Sequence, residues 1–487
     1  MICITIAQES RRLALADMLN AAAMGADLLE VRLDTFEHDP DPKELLSARR
    51  KPVIFSCRRS SDGGAWRGTE EARIIQLKTA IIAQPDFCEL EWDIADQVRR
   101  FGSCQRVISY TNLVETPANI VEIYEEAKKK DPDIIKLTCR ARTPEEAWPL
   151  LQILAKSTVP TVVVGLGRPG LMLTILGRKI GAPFAVAALE RGMEVYPGQP
   201  TISELERIYH YRQIGRQTSL LGVTGMGSWS MALTATLNRA FELLQVPTRC
   251  LPLQVGDVRL FRKIMEAVKL VGVAVDVDHQ RMLREVASEV DPGVADDSVD
   301  LLIQPEAKRW LGSHTLGTAA ANALRLQMNS AGRDVNGSMV MIAGITPLSR
   351  VLAKQLASLG ARLIFASHNR QEAARMCQQI GGRLIQPEAI YTTLHDVVVV
   401  SREEADAEVD RPPLLSNYLR PGMMVLDLTE PGGETDFTRD ARLRGTDVVS
   451  SRRLVAEQAK TIVRRLTGQD VEADQLIAAT EGIIEEE

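Results

Sequence analysis

Residues 133–138 read DIIKLT, an apolar, β-branched run of the kind that forms a buried strand, with a lysine, Lys136, in its middle. A strongly hydrated cation there has two readings: it faces solvent from an edge strand, or alternation turns it into an interior that has a use for it. The surroundings of the run bear on the choice. Seven similar runs occur in the first part of the chain: ICITIA (2–7), DLLEVRL (27–33), PVIFSC (52–57), FCELE (87–91), RVISY (106–110), TVVVG (161–165) and FAVAAL (184–189). Between them lie stretches such as EEARIIQLKTAIIAQ and NIVEIYEEAKKK, whose apolar residues recur three and four apart, the spacing of an amphipathic helix. Eight strand–helix units in about 210 residues predict a compact (β/α)8 barrel.

The whole chain has 487 residues, more than one hydrophobic core serves, and two or three domains are expected. Apolar residues at 45% and charged residues at 25% exclude disordered and fibrous classes. A net charge of −6 with both signs interspersed leaves no electrostatic footprint for nucleic acid, and no apolar run is long enough to span a membrane. Seven cysteines without a CxxC pair predict reduced thiols, with no disulfide framework and no metal site. The start, MICITIAQES, runs directly into a strand-like pattern with no basic segment, so a secretory signal is not predicted and a cytoplasmic protein is expected.

Past the polar stretch HYRQIGRQTS a new α/β pattern begins at LLGVT (220–224) and runs through VGVAVDV to TLGTAAANALRLQM. After NSAGRDVNGS (329–338) comes MVMIAGITPLSRVLAKQLASLGARLIFASHNR, which reads strand, turn, helix, strand, the opening of a doubly wound nucleotide-binding fold. The boundaries expected are 1–214 for the barrel, 215–330 for a second domain completed by 467–487, and 331–466 for a Rossmann-like domain of NADP-binding type.

Catalytic groups of such barrels gather at the C-terminal ends of the strands. Glu30 and Arg32 lie two apart near the end of the second run, Arg58 ends the third, and Lys136 sits within the sixth. An inward lysine beside arginines and apolar walls has its charged form disfavoured, leaving free amine to attack a ketone and form a Schiff base.

Residues 1 to about 213 resemble type I 3-dehydroquinate dehydratase through LLEVRLD, FSCRRSSDGGAWRGTEEARI, VISYTNLVETP, DIIKLT and YPGQPTISEL, and the remainder resembles shikimate dehydrogenase through GSWS, EVDP and SSRRLVAEQA. The order is that of the bifunctional plant family. The resemblance implies two steps of the shikimate pathway on a small-molecule substrate, 3-dehydroquinate or a related cyclic hydroxy acid, with Lys136 as the Schiff-base lysine. Glu30, Arg32, Arg58 and Gln199 are then the residues that hold the substrate. In the second half it implies that Ser228, Ser230 and Gln458 bind ligand, and that Gly344, Asn369 and Arg370 belong to an NADP site; Asn369 and Arg370 read equally as a helix cap and a surface arginine.

The chain departs from both patterns. Thr111 stands where the dehydratase motif has its acid–base histidine, no histidine lies between His38 and His210, and Thr174 stands at a substrate-binding arginine. His38, in FEHDPDP, reads more simply as a solvated loop residue than as a substitute base. In the second half Gln280 replaces the catalytic lysine, Leu316 its aspartate and His314 the preceding asparagine, while Asp276 and Asp300 add carboxylates that would repel an anionic ligand. IAGITPLSR has one glycine, Gly344, followed by Ile345, Thr346 and Pro347, so NADP binding is expected to be weak or lost. The functional expectation is Schiff-base dehydration in the barrel with an inactive dehydrogenase half; the alternative is a ligand-binding or scaffold protein derived from the enzyme.

Overall fold

All eight apolar runs form strands: β1 Ile2–Ile6, β2 Leu28–Arg32, β3 Val53–Ser56, β4 Phe87–Glu91, β5 Gln105–Asn112, β6 Ile134–Arg140, β7 Thr161–Leu166 and β8 Ala185–Ala187. The computed structural model describes residues 1–291, 297–306, 309–403 and 414–483. The chain divides into two units, Met1–Thr218 with Leu251–Val268, and Ser219–Cys250 with Lys269–Glu487.

In the first unit the eight strands are ordered β7-β6-β5-β4-β3-β2-β1-β8, each paired parallel to its neighbours. β7 and β8 stand beside each other without a ladder, so the barrel is nearly closed. Helices fill the crossovers and start on local signals. Thr69 caps Glu70–Ile82, with Glu70 and Glu71 in its first turn, and Thr143 caps Pro144–Lys156, with proline at the first position.

Side chains alternate across each strand, and the inward set changes character along the barrel axis. Cys3, Leu28, Ile54, Val107, Ile134, Val162 and Val186 pack together as an apolar floor. Two residues further along five of those strands stand Thr5, Glu30, Ser56, Ser109 and Lys136, all buried. Lys136 is therefore an interior residue, which resolves the first of the two sequence readings in favour of the barrel.

The other two sheets belong to the second unit, apart from Leu251–Leu253, which fall in the first. One comprises β9 Ser219–Thr224, β10 Thr248–Leu253, β11 Leu270–Ala274, β12 Glu289–Val290, β13 Leu301–Glu306 and β14 Arg309–Ser313, ordered β10-β9-β11-β13-β14-β12, with β13 antiparallel to both neighbours. The other comprises β15 Met339–Ala343, β16 Arg362–Ala366, β17 Arg383–Ile385, β18 Val397–Val400, β19 Met424–Asp427 and β20 Asp447–Val448. Its order, β17-β16-β15-β18-β19-β20, is parallel throughout and reverses direction between β15 and β18, the doubly wound arrangement. The helix Ser451–Thr467 gives Leu454 to the core of the doubly wound sheet and Val455, Ala459 and Ile462 to the core of the other, so the boundary expected at 466 falls at the end of a helix shared by both. Among the described residues no helix is long and apolar enough to cross a membrane.

Asp300, just before β13, is fully buried and starts a helix from outside it. Its Oδ1 accepts from the Thr315 backbone N–H at 2.6 Å and the Thr315 hydroxyl at 2.9 Å, and its Oδ2 accepts from the Leu316 N–H at 2.6 Å, at the head of the helix Leu316–Ser330. His314 Nδ1 lies 3.1 Å from the same carboxylate. Burial alone would raise the Asp300 carboxyl, but His314 and the two N–H groups outweigh it and hold the group below its ordinary range. The Asp300 carboxylate, expected from the sequence to repel ligand, has both oxygens occupied by donors inside the fold. Asp300→Ala is expected to destabilise the second unit by about 1–3 kcal/mol through donors left unsatisfied, read as a lower urea midpoint. Because the folded-state value is depressed, this contribution is complete above the ordinary carboxylate range and disappears as pH falls through it, so wild type and variant should converge in acid.

Candidate functional site

The barrel interior above the apolar floor holds a balanced set of charges. Lys136 Nζ donates to Glu30 Oε2 at 3.0 Å and to Glu89 Oε2 at 2.8 Å, and all three residues are at least 96% buried. Arg58 donates to Glu30 Oε1 at 2.6 Å and lies 3.2 Å from Glu89 Oε1. Ser56, on β3, adds its hydroxyl to Glu30 Oε1 at 2.9 Å. Burial opposes ionisation of Glu30, but Arg58, Lys136 and Arg32 prevail and hold its carboxyl well below the usual range. The sequence reading put arginines and apolar walls around Lys136 and expected free amine. The structure sets it between two carboxylates, which are acceptors for an ammonium.

Arg32 is placed one step away. It forms a fork with Asp34, Nε to Oδ1 at 2.9 Å and Nη2 to Oδ2 at 2.6 Å, and the Arg58 backbone N–H donates to the same Asp34 Oδ1 at 3.1 Å. Its bidentate capacity is thus taken by a buried internal carboxylate. Arg58 keeps one donor in reserve: its Nε is buried and has no partner among the described residues. Gln199 reaches the interior through Thr5, donating to its Oγ1 at 3.4 Å, while its own Oε1 accepts from the Val195 N–H at 2.8 Å. Thr5 is the register partner of Glu30 on the adjacent strand.

Thr111 lies on the same strand face as Ser109, and Ser109 is the register partner of Lys136. Thr111 is half-buried, two residues nearer the C-terminal rim, so the side chain at the histidine position faces the site. Thr174 is half-buried on the helix Leu171–Ile180, and His38 is exposed in a loop. Tyr196, given no role in the sequence analysis, packs against the apolar floor, where burial and the nearby Glu30 carboxylate push its phenol up and keep it protonated. Glu89 was also missed. Its signal was the alternation in FCELE, which places an acidic residue on the same strand period as Glu30 in LLEVR.

In the second unit the polar residues expected to bind ligand make hydrogen bonds within the fold. Ser228 begins the helix Ser228–Leu243 and donates to Glu430 at 2.9 Å, while Ser230 donates to the Gly227 carbonyl at 2.8 Å. Gln458, fully buried, accepts from Trp229 Nε1 at 2.9 Å and donates to Thr315 Oγ1 at 3.3 Å. Gln280 is buried with its Nε2 unpartnered among the described residues, and Leu316 is buried in the core. Asp276 accepts from the Thr224 hydroxyl and pairs with His279 Nδ1 at 2.7 Å, which pushes that imidazole up.

Asn369 and Arg370 stand at the start of one helix. Asn369 Oδ1 accepts from the Glu372 N–H at 3.1 Å as the cap of the helix Arg370–Ile380, and Arg370 is exposed. Gly344 follows β15 with φ of +90°. Among the described residues no group of histidine, cysteine, aspartate and glutamate has the arrangement of a metal site.

Residues 2–216 match the family model of type I 3-dehydroquinase. The 3-dehydroquinate dehydratase of Methanothrix thermoacetophila is 32% identical over 192 residues, which cover 38% of this chain and 82% of that protein. The chloroplastic bifunctional 3-dehydroquinate dehydratase/shikimate dehydrogenase of Arabidopsis thaliana is 23% identical over 494 residues, covering 96% of this chain and 82% of that one. Among solved structures, the dehydroquinate dehydratase and shikimate dehydrogenase from S. pombe AroM covers 98% of this chain and 97% of its own at 17% identity, with a TM-score of 0.43. With its eight-stranded barrel carrying an interior lysine and the plant protein aligned over 96% of this chain, the chain belongs through residues 2–216 to the type I 3-dehydroquinase family, in the fused dehydratase and dehydrogenase arrangement.

Proposed function

We propose that the barrel forms a Schiff base between Lys136 and the ketone of 3-dehydroquinate, as a dehydratase, and that the second unit carries out no hydride transfer. The observation that supports this reading is the placement of Lys136 Nζ within 3.0 Å of two buried carboxylates in the barrel interior. Attack on a ketone requires the ammonium to lose a proton first. Glu30 is held ionised by three cations and is a poor acceptor. Glu89, 2.8 Å from Nζ, is the acceptor in this reading, and the Arg58–Glu89 contact at 3.2 Å keeps it oriented. Arg58 Nε, which has no partner among the described residues, is the donor available to a substrate oxygen.

Proton removal from substrate carbon and protonation of the departing hydroxyl need a group that titrates near neutrality. A threonine hydroxyl does not, so turnover through Thr111 is slow. That residue also supports a second reading, a protein that binds the keto acid as an imine and releases it unchanged.

Borohydride reduction in the presence of 3-dehydroquinate is expected to add the ligand's mass to the peptide containing Lys136 and to no peptide of a folded Lys136→Met variant. An unmodified wild-type chain would falsify the Schiff-base reading in both its forms. Thr111→His is expected to raise dehydration by about 10²- to 10⁴-fold, measured as the appearance of the conjugated product, with trapping at Lys136 retained. If the rate stays flat while trapping persists, the site has lost more than its histidine and the binding reading stands.

A further inference from the structure

Glu403 follows β18 by three residues, at the C-terminal edge of the doubly wound sheet and beside the point where the strand order reverses. Folds of this order bind phosphate there, on N–H groups of the turn after the first strand and on groups at the end of the second. In this chain one carboxylate takes donors from both places. Glu403 Oε1 accepts from the Ile345 N–H at 2.6 Å, just after β15, and from the Ser367 hydroxyl, just after β16. Its Oε2 accepts from the His368 N–H at 3.0 Å. The side chain is 6% exposed, so these bonds form out of water.

The rest of the turn is also closed. A Cβ built on Gly344 would fall 2.2 Å from the Ser401 carbonyl oxygen and 3.4 Å from Glu403 Cγ, so this glycine admits the chain's own backbone, not a pyrophosphate. Thr346 N–H donates to Ser349 Oγ at 2.8 Å, Ser349 N–H donates to Thr346 Oγ1 at 3.1 Å, and Pro347 has no N–H. The residues present therefore do not fit a dinucleotide. The donors that would meet its phosphates are bonded to an anion already there.

We propose that Glu403 is an internal anion standing in for the phosphate of a dinucleotide, and that its charge closes the second unit to NADP(H). This rests on the geometry of the doubly wound sheet and is independent of Lys136, so either reading can fail without the other. Calorimetric titration of the full-length chain with NADPH is expected to show no saturable binding at millimolar concentration. Glu403→Ala and Glu403→Gln, each checked for an unchanged circular dichroism spectrum, are expected to bind NADPH about tenfold or more tightly than wild type, as removal of a like charge from a contact predicts. On the unaltered chain, the Ile345 and His368 amides are expected to be protected from hydrogen exchange without ligand and to stay unchanged when NADPH is added, a readout that holds even if a variant does not fold. Saturable binding by wild type, a shift of those amides on adding NADPH, or folded variants that bind no better would each overturn the proposal.

Discussion

Four charges inside the barrel, Lys136 and Arg58 against Glu30 and Glu89, constrain everything built around them. None is tenable alone at this burial, because an unpaired ion away from water is penalised by several kcal/mol or more. Together they are neutral, and each carboxylate touches both cations. The apolar floor beneath them, from Cys3 to Val186, keeps water and its screening away and makes every contact stronger than it would be at the surface. The network extends outward through Asp34, which accepts the Arg58 backbone N–H and holds Arg32 in a fork. A lysine held in this way has one position and one set of proton acceptors, which is the preorganisation that imine chemistry needs.

The same constraint has the opposite consequence in the second unit. Buried backbone N–H groups must find acceptors. At a binding site a ligand supplies some of them; here the protein does. Asp300 caps the helix at Leu316, and Glu403 collects donors from the turns after β15 and β16. Ser228, Ser230 and Gln458, which the sequence resemblance implies as ligand-binding, each have hydrogen bonds inside the fold. A polar residue retained by type is therefore not evidence of a retained site unless its bonding capacity is open. Arg58 Nε in the barrel has no partner among the described residues and meets that condition.

The strands, the barrel and the doubly wound sheet were legible because their signals are local. Alternation over five or six residues and apolar spacing over three turns survive in a single sequence, and all eight barrel runs became strands within a few residues of their expected limits. The same alternation allowed an inward Lys136, one of the two readings the sequence left open, and the barrel pattern put Glu30 and Arg58 near strand ends. Glu89 carried an equal signal in FCELE, but a strand buried on both faces does not show which face meets the barrel axis, so its role needed the closed barrel.

What the sequence by itself determined, then, was the periodic scaffold, the residue types at its rims and the absence of a histidine beside Lys136. What only the tertiary structure decided was the bonding of each charge. Lys136 meets partners 106 and 47 residues away, and Glu403 meets Ile345 across 58 residues. Such pairings depend on strand order and register around a closed barrel or a wound sheet. Neither composition nor spacing encodes them, because the energy of a buried charge is set by which group stands within 3 Å of it and not by where that group lies in the chain.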